Sequence, residues 1–408
     1  MSNQRINIQF PDGSQKAYEQ GVLARDVAKS ISTSLFKAAV VCRVNGTLVD
    51  LTYPLQEDCE LTFYTLEDAE GIEAMRHTAA HVLAQALTRL YPQVLLTIGP
   101  VIDNGFYYDI DLDESISEVD LNKIEKEMKK IQSENLDIVK ENVSYDEAKA
   151  LFKDNPYKLE IIEQYQGEQL SVYRQGEFLD LCVGPHVPNT KFVKHVKLTK
   201  VSGAYWRGDS DNKMLQRIYG VAFQSQAQLD DYFEFLREAE ARNHRKLGKQ
   251  LKLFMFSEEA PGMPFYLSNG QFVRNQMENF LREIQLKNDY DEVRTPLMMN
   301  QKLWEESGHW DHYHENMYFT KVDENDYALK PMNCPGHMLI FKNELRSYKD
   351  LPLRMAEFGQ VHRHEFSGAL NGLLRVRTFC QDDAHIFIMK SQIKSEVEDI
   401  LKLIDYIY

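Results

Sequence analysis

The stretch LPLRMAEFGQVHRHEFSGALNGLLRVRTFCQDDAHIF, residues 351–387, decides the fold of the C-terminal part of the chain. Residues 351–365 and 378–387 alternate well enough to predict two strands, and the polar segment between them predicts a loop, with Arg375 beginning the return. Side chains two apart on a strand share a face. One face of the second strand therefore presents an aromatic ring, an amide, a carboxylate and an imidazole, which belong to Phe379, Gln381, Asp383 and His385. Because aspartate is depleted in strands, we interpret this face as a site lining, although a solvated face is the alternative.

Arginines lie at both ends of the polar loop, Arg363 before it and Arg375 after it. A guanidinium group keeps its charge and binds phosphate oxygens in pairs, so this hairpin suits a triphosphate. The sequence contains neither a Walker-type P-loop nor a GxGxxG motif. A nucleotide site here must therefore be built from arginines and a sheet.

A second pattern of histidine and cysteine lies further upstream. His77 and His81 are four residues apart in a helix predicted over about 70–90, so they share a face. The apolar stripe of that helix centres roughly opposite them, which predicts that both line a cleft and neither is a core residue. Cys182 and His186 are also four apart, in a Gly-Pro turn. Three imidazoles and one thiolate are a plausible tetrahedral zinc set, and the alternative is two unrelated pairs on solvent-facing surfaces.

Length and composition indicate a soluble globular protein of several domains. The 408 residues are 43% hydrophobic and 27% charged, which predicts two to four domains. The net charge of −15 argues against a protein that simply coats nucleic acid, but it leaves room for a local basic groove. Five widely spaced cysteines, no N-terminal apolar signal and no long apolar run predict a cytoplasmic protein without a disulfide framework or membrane span.

The sequence divides into three units and a linker. Residues 1–64 predict a small α+β unit with a hairpin at Asn45-Gly46. Residues 65–225 carry the first histidine pair and the Cys-His turn, residues 226–252 predict one linker helix, and residues 253–408 carry the strand pair. Sequence alone assigns no chemistry to the first unit.

The strand–loop–strand segment, with Arg363-His364-Glu365, resembles motif 2 of class II aminoacyl-tRNA synthetases. Residues 290–298, with Pro296, resemble motif 1, which lies at the dimer interface in that class. KPMNCPGHM (330–338), SGHWDHY (307–313) and QDDAHIF (381–387) narrow the resemblance to the bacterial-type threonyl-tRNA synthetase family.

This resemblance extends over the whole chain and implies an α+β multidomain fold. Residues 1–64 resemble the ubiquitin-like β-grasp (TGS) domain, and residues 65–225 resemble the editing domain that hydrolyses Ser-tRNA(Thr). Residues 253–408 resemble the N-terminal part of the class II catalytic domain, with its antiparallel sheet. The implied activity is ATP-dependent ligation of threonine to tRNA(Thr) by a homodimer, with tRNA(Thr), threonine and ATP as partners.

The resemblance also implies a role for each site residue of the catalytic domain. Cys334 and His385 would bind one Zn²⁺, with a third protein ligand beyond residue 408, and the zinc would bind the amino group and hydroxyl of threonine. Arg363 would bind the α-phosphate and Arg375 the distal phosphates, with Mg²⁺ on the phosphates. Glu365 and Phe379 would bind adenine. Gln381 and Asp383 would orient threonine, and Met332 would form part of the wall of the threonine pocket.

In the editing domain, the resemblance implies a pocket shaped by the two histidine-containing pairs. Its residues are His77, His81, Cys182 and His186. Lys158 and Asp180 would help bind the ester and position water. A basic run from Lys194 to Arg207, with Trp206, is either a contact for the tRNA 3′ end through phosphates and stacking or a solvated strand face.

Two sites are needed because their selectivities differ. A site that must ligate a hydroxyl rejects valine strongly, whereas serine keeps the hydroxyl and lacks only a methyl group, worth about 1–3 kcal/mol. A hydrolytic site must then remove serine.

The family pattern continues beyond residue 408, where motif 3 and the anticodon-binding domain are expected, so we expect this chain to edit and to aminoacylate poorly. The alternatives are a trans-editing hydrolase and a non-catalytic tRNA-binding protein. His309, His312 and His314 are interpreted as surface-loop residues, and Cys380 as a packed core thiol.

Overall fold

The computed structural model describes residues 5–408, which form two compact units divided between Leu236 and Arg237. Helices and sheets are mixed in both units, and this confirms the predicted α+β class. None of the helices in the described part of the chain has the length and hydropathy of a membrane-spanning segment.

The first unit begins with a five-stranded sheet that contains one parallel contact. In chain order its elements and their neighbours are β1 (Arg5–Gln9), β2 (Gln15–Glu19), β3 (Val22–Leu23), α1 (Ala24–Ile31), α2 (Thr33–Ala38), β4 (Ala39–Val44), β5 (Thr47–Asp50), β6 (Pro54–Leu55) and β7 (Cys59–Thr65). The strand order is β2-β1-β7-β4-β5, and the parallel contact joins β1 to β7.

Local sequence explains this small domain. Ile6 and Ile8 alternate with exposed residues along β1 and are buried, as expected for a strand with one covered face. Asn45 and Gly46 both have positive φ, 47° and 84°, and they join Val44 to Thr47 in the hairpin register. This confirms the predicted Asn-Gly turn.

The rest of the first unit is built around one long helix. In chain order the elements are α3 (Ala69–Leu90), β8 (Leu95–Leu96), β9 (Val101–Ile102), β10 (Gly105–Asp111), α4 (Glu118–Glu134), β11 (Ile138–Val143), α5 (Tyr145–Leu151), α6 (Pro156–Glu163), β12 (Leu170–Gln175), β13 (Phe178–Leu181), β14 (His195–Tyr205), β15 (Met214–Phe223) and α7 (Gln226–Ala241). The boundary between the two units falls within α7. Two sheets result, one in the order β14-β15-β10-β8 with β9 paired to β10, the other in the order β11-β12-β13.

The helix α3 is covered on more than one side; His77 and His81 line a cleft as predicted, but the prediction that neither is buried is wrong for His81. Its stripe residues Met75, Val82 and Leu83 are fully buried, as expected. His81, which the stripe placed away from the core, is itself only 3% exposed. The reason is that the face opposite the stripe also packs, against the aromatic rings of Tyr173 and Phe178.

The second unit contains a longer strand pair and several short strands. In chain order its elements are α8 (His244–Gln250), β16 (Phe254–Met255), β17 (Phe265–Tyr266), α9 (Ser268–Lys287), β18 (Tyr290–Glu292), β19 (Met298–Asn300), α10 (Gln301–Glu306), α11 (His309–Tyr313), β20 (Phe319–Val322), β21 (Asn325–Leu329), α12 (Cys334–Lys342), β22 (Leu353–His362), β23 (Thr378–Phe387) and α13 (Ile393–Ile407).

The predicted linker helix over residues 226–252 is not continuous. Helix α7 ends at Ala241, and α8 begins at His244. Asn243 separates them because its side chain accepts a hydrogen bond from the backbone N–H of Arg245 and caps the new helix.

The predicted strand pair is present, with its second strand at the predicted residues 378–387 and its first strand shorter than the predicted 351–365. β22 and β23 are antiparallel, with Gly359 opposite Gln381, and β18 adds a short parallel strand to β22. β22 ends at His362 and β23 begins at Thr378. Arg363 and Arg375 therefore both lie in the connecting loop, so Arg375 precedes the return strand.

A buried ionic network holds β22 to the segments that precede it. The carboxylate of Glu357 accepts hydrogen bonds from Lys330 Nζ at 2.9 Å, from the Thr295 N–H at 3.0 Å and from its hydroxyl, and it contacts His337 Nε2 at 3.1 Å. Burial opposes ionisation, but the hydrogen bonds from His337, Lys330 and Thr295 outweigh it and lower the pKa of Glu357 to about 2.

We predict that Glu357→Gln destabilises the second unit by about 3–5 kcal/mol, because Lys330 would remain charged and buried without a counter-charge. The Lys330 and Glu357 side chains are only 1% and 2% exposed. Urea unfolding of the variant and the parent chain measures the difference. The matched control is Glu292→Gln, whose partner Arg282 is 38% exposed and whose loss should cost less than about 1 kcal/mol. Equal effects of the two substitutions would contradict the prediction.

The same pair gives a pH dependence with a defined sign. Because the folded-state pKa of Glu357 is lowered, the ionised carboxylate stabilises the fold at any pH above the ordinary pKa of a glutamate. This stabilisation is lost as the pH falls towards about 2. The difference in unfolding free energy between the parent chain and Glu357→Gln should therefore shrink on acidification from about pH 5 to about pH 2. A difference that grows in this range would contradict the assignment.

Candidate functional sites

The first unit contains a cleft of about 670 Å³. Five residues predicted from the sequence line it, together with one that was not predicted: His77, His81, Lys158, Asp180 and Cys182, with Tyr108. His186 is 1% exposed and lies behind Cys182, outside this lining. The cleft collects residues from α3, β10, α6 and the end of β13.

The two pairs predicted from spacing form one cluster. Helix α3 places His77 and His81 one turn apart, and the turn after β13 places Cys182 and His186 against them. The Cys182 Sγ lies 3.3 Å from His77 Nε2 and 3.4 Å from His186 Nε2. One ligand atom from each of the four residues lies within 4.8 Å of the others. The cluster could therefore hold a metal ion, and it equally forms a chain of hydrogen-bonding groups.

Thr78 fixes the proton position on His186. Its hydroxyl donates to the Ala74 carbonyl at 2.8 Å and accepts from the Val187 N–H. A hydroxyl has only one proton, so the 3.1 Å contact with His186 Nδ1 requires the imidazole to donate. Nε2 of His186 is then the unprotonated nitrogen, and it faces the Cys182 sulfur.

Burial keeps the cluster uncharged at neutral pH. Desolvation lowers the pKa of His81 to about 3 and lowers those of His77 and His186. Burial, reinforced by the negative charge of Asp180, raises the pKa of the Cys182 thiol to about 12. Neutral imidazoles and a neutral thiol can orient a water molecule or a substrate hydroxyl without a net charge.

A buried ion pair lies beside this neutral cluster. Asp180 accepts hydrogen bonds from Lys158 Nζ and from the Tyr108 hydroxyl, each at 2.5 Å, and from the N–H of Leu181 at 2.8 Å. Burial opposes ionisation of Asp180, but the positive charge of Lys158 outweighs it and the pKa of the carboxyl is lowered. The cleft therefore offers a buried Lys158–Asp180 ion pair next to neutral hydrogen-bonding groups.

The basic run of the first unit differs from the prediction for its aromatic residue. Trp206 is 6% exposed and donates from Nε1 to Glu160, so its face is unavailable for stacking on a nucleotide. Arg207 is paired with the same Glu160 at 2.9 Å, and Lys197 is paired with Glu125 at 2.9 Å. Carboxylates already partner these cations.

In the second unit, β23 and the start of α12 bring several predicted residues together. Asp383 accepts a hydrogen bond at 3.0 Å from Asn333, which precedes Cys334 at the start of α12. Asn333 also lies directly over Gly359, where a Cβ atom would approach its amide to 2.2 Å. Only a glycine at this point of β22 allows α12 to begin so close to the sheet.

The orientation of His385 follows from its neighbours. His337 Nε2 faces the Glu357 carboxylate at 3.1 Å, so this nitrogen donates. A neutral His337 imidazole that donates from Nε2 accepts at Nδ1, which lies 2.7 Å from Nδ1 of His385. The free lone pair of His385 is consequently on Nε2, as a metal ligand would require.

The arginines predicted for the nucleotide are in different environments. Arg363 donates to the Pro331 carbonyl at 3.2 Å and lies 5.1 Å from the centre of the Phe379 ring. Arg375 is exposed and forms an ion pair with Glu365 at 2.9 Å. The two groups predicted to bind the distal phosphates and the adenine thus contact each other.

Two predictions that gave residues no role in a site, one for the histidines of residues 309–314 and one for Cys380, were wrong in detail. His309 and His312 lie on α11, and His309 contacts the Met332 sulfur at 3.3 Å. This histidine therefore neighbours the predicted threonine pocket, and it is not a free loop residue. Cys380 is only partly buried, so it is not a core thiol, and its sulfur contacts the Arg274 guanidinium.

Sequence reasoning missed three residues that hold these sites. Tyr108, Thr78 and His337 each orient a predicted residue by a hydrogen bond. Thr78 and His337 lie within the motifs HTAAH and NCPGH, so position within a motif was an available signal. Tyr108 belongs to an ordinary strand, and no pattern in the sequence distinguishes it.

Family comparisons match three separate parts of the chain. Residues 6–65 match the TGS domain, residues 170–219 match the threonyl and alanyl tRNA synthetase second additional domain, and residues 318–408 match the tRNA synthetase class II core domain (G, H, P, S and T). These matches follow the chain order expected from the resemblance.

Individual relatives match over the whole chain. Threonine–tRNA ligase 2 of Bacillus subtilis is 61% identical over 409 residues, which cover 100% of this chain, and threonine–tRNA ligase of Clostridium tetani is 54% identical over 406 residues, which cover 99%. The RNA-binding domain of threonyl-tRNA synthetase from Cryptosporidium parvum is a solved structure with 48% identity, 41% and 42% coverage of the two chains and a TM-score of 0.40.

The chain spans 64% of the length of these two curated relatives. Three family matches in order, and identities above one half across the whole chain, leave one assignment: this chain belongs to the threonyl-tRNA synthetase family.

Proposed function

We propose that the protein is a threonine–tRNA ligase whose first unit hydrolyses Ser-tRNA(Thr). The observation that carries this proposal is the cleft in which the neutral His/Cys cluster lies beside the Lys158–Asp180 pair. The relatives' names state the ligase activity of those proteins, and the class II strand pair in the second unit supports the same activity here.

The cleft residues suit hydrolysis of an ester by water. In the proposed reaction, water attacks the carbonyl carbon of the seryl ester, and the bond from that carbon to the ribose oxygen breaks. The ribose oxygen takes up a proton, so the products are serine and tRNA with a free terminal hydroxyl. The ammonium group of Lys158 stabilises negative charge on the carbonyl oxygen, and His77 orients the water by a hydrogen bond. Burial of His81 and His186 holds the histidine cluster in place beside Cys182.

We predict that His77→Ala lowers the rate of Ser-tRNA(Thr) deacylation by this chain about 100-fold or more, because the attacking water loses its partner. The measurement is release of labelled serine under single-turnover conditions. His312→Ala, an exposed histidine of the second unit, is the matched control and should match the parent rate. Retention of deacylation in His77→Ala would show that the editing site lies elsewhere.

For threonine activation, we propose that Arg363 binds the α-phosphate and stabilises charge as the threonine carboxylate attacks it, releasing diphosphate. Its position above Phe379 supports this role, since the same ring could stack on adenine. Arg375 and Glu365 would exchange their mutual ion pair for the distal phosphates and the adenine, with Mg²⁺ neutralising the phosphates. Gln381 and Asp383 would orient threonine, and Met332 would border its pocket.

We further propose that Cys334 and His385 bind a zinc ion in the second unit. The orientation of His385, whose Nε2 lone pair is left free by the His337–Glu357 pair, fits a zinc ligand, and so does the thiol of Cys334. When bound, zinc would take the amino group and hydroxyl of threonine as ligands. Sequence beyond residue 408 would supply the third protein ligand.

We predict that Cys334→Ser and His385→Ala lose most of the zinc bound by the second unit when the chain is extended to the full length of its relatives. Elemental analysis of the purified protein measures this. Cys380→Ser changes a thiol on the opposite face of the strand that carries His385 and should leave the zinc content unaltered. Unchanged zinc in Cys334→Ser would remove this residue from the ligand set.

Threonine, valine and serine should separate the two sites. In ATP–diphosphate exchange by the full-length form, valine should be activated about 10⁴-fold less efficiently than threonine, because a site that ligates a hydroxyl leaves groups unpaired when it is absent. Serine should be activated appreciably, since it lacks only a methyl group. Equal activation of valine and threonine would contradict the zinc–hydroxyl argument.

We also propose a cytoplasmic homodimer. Helix α9 and its surroundings present large apolar side chains to solvent, including Phe272 at 64% and Met277 at 62% exposed, and a second copy would cover them. Sedimentation of the full-length form tests this.

A chain that only edits tRNA in trans is the second candidate function. The cleft in the first unit, which contains all the residues proposed for hydrolysis, favours this function over a non-catalytic role.

A further inference from the structure

The segment that carries Cys182 and His186 has no regular secondary structure. Within it, the backbone N–H of Cys182 donates to the Ser171 carbonyl, and the N–H of Gly184 donates to the Cys182 sulfur. Gly184 has a φ of 79°, and a Cβ atom at this position would lie 1.8 Å from the Tyr173 hydroxyl. The turn therefore depends on side chains from other elements for its position.

One of those side chains comes from the N-terminal domain. Asp50, the last residue of β5, accepts a hydrogen bond at 2.8 Å from the N–H of His186 and one at 2.6 Å from the hydroxyl of Tyr173. The sequence separation between Asp50 and His186 is 136 residues. Hydrogen bonds to a carboxylate are about twice as strong as neutral ones, so this single residue ties two residues that lie behind the cleft lining, Tyr173 and His186, to the β-grasp sheet.

The surroundings reinforce the same turn. The Tyr173 ring packs against the His186 ring at 4.4 Å between centroids. Lys140 donates to the Val183 carbonyl at 3.0 Å and lies over the Tyr173 ring. Asp50 thus completes a cage around residues 183–186 whose other members, Tyr173 and Lys140, belong to the editing domain.

We propose that Asp50 is a positioning residue for hydrolysis in the cleft, so that the N-terminal domain is a structural part of the editing site. Asp50 holds the His186 backbone and the Tyr173 ring, and through them it sets where the Cys182 sulfur and the His186 imidazole meet His77. The expected effect of Asp50 on kcat rests on the proposed deacylation, whereas its expected effect on the position of the turn does not.

The kinetic test uses the 408-residue chain and Ser-tRNA(Thr). Asp50→Ala should lower kcat about 10–100-fold with little change in KM, because misplacement by about 1 Å of groups next to the reacting atoms has effects of this size. Asp50→Asn keeps one acceptor for the His186 N–H and should retain more of the activity. Asp12→Ala is the control, since Asp12 also binds backbone and side chain of a turn in the same domain and should leave kcat unchanged.

Tyr173→Phe provides a second variant that removes only the hydroxyl. If Asp50 acts partly through Tyr173, Asp50→Ala should add less to Tyr173→Phe than it does to the parent chain. Full additivity, or an unchanged kcat in both Asp50 variants while the parent chain deacylates, would overturn the proposal.

A structural readout separates this inference from the proposed function. Loosening of the turn should raise the rate at which iodoacetamide alkylates Cys182, measured by peptide mass spectrometry, with Cys334 in the second unit as the internal reference. We expect a several-fold rise in Asp50→Ala and none in Asp12→Ala. An inactive parent chain would refute the deacylation alone, whereas unchanged Cys182 reactivity in Asp50→Ala would refute the positioning role.

Discussion

A carboxylate buried away from water must recover its lost hydrogen bonds from the protein, and Asp180 recovers them from three different elements. Lys158 on α6, Tyr108 on β10 and the backbone after Asp180 on β13 all donate to it. Removing any one of these donors would leave the buried Asp180 carboxylate short of a hydrogen bond that water does not replace. The cleft of the first unit is therefore shaped by this one requirement, and Glu357 imposes the same requirement in the second unit.

The two sites use electrostatics in opposite ways. In the first, burial keeps three imidazoles and a thiol uncharged beside the buried Lys158–Asp180 ion pair. In the second, an open strand face is bordered by two arginines, which suits anionic phosphates. A cleft lined by an uncharged His/Cys cluster and a strand face bordered by arginines favour different chemistry, which is why ester hydrolysis is proposed for the first and amino-acid activation for the second.

The fold of each segment was largely predictable because it follows from local periodicity. Helix α3, the Asn45-Gly46 hairpin and the β22–β23 pair lie where the spacing of apolar residues and turn residues predicted them. The linker helix breaks at Asn243 because a side-chain cap competes with helix continuation. The first strand of the pair was predicted to reach residue 365 but ends at His362, because the chain beyond it enters the loop that carries Arg363 and Arg375.

Sequence by itself determined which chemical groups this protein can bring together, since helical spacing joins His77 to His81 and strand alternation joins Asp383 to His385. Only the tertiary structure decided how those groups are held. His81 is buried, Trp206 is unavailable for stacking, and the imidazole of His385 is oriented through His337. Asp50 reaches the turn behind the cleft from another domain. The physical reason is that periodicity acts between near neighbours in sequence, whereas a buried polar group takes its partner from whichever distant element the packing places beside it.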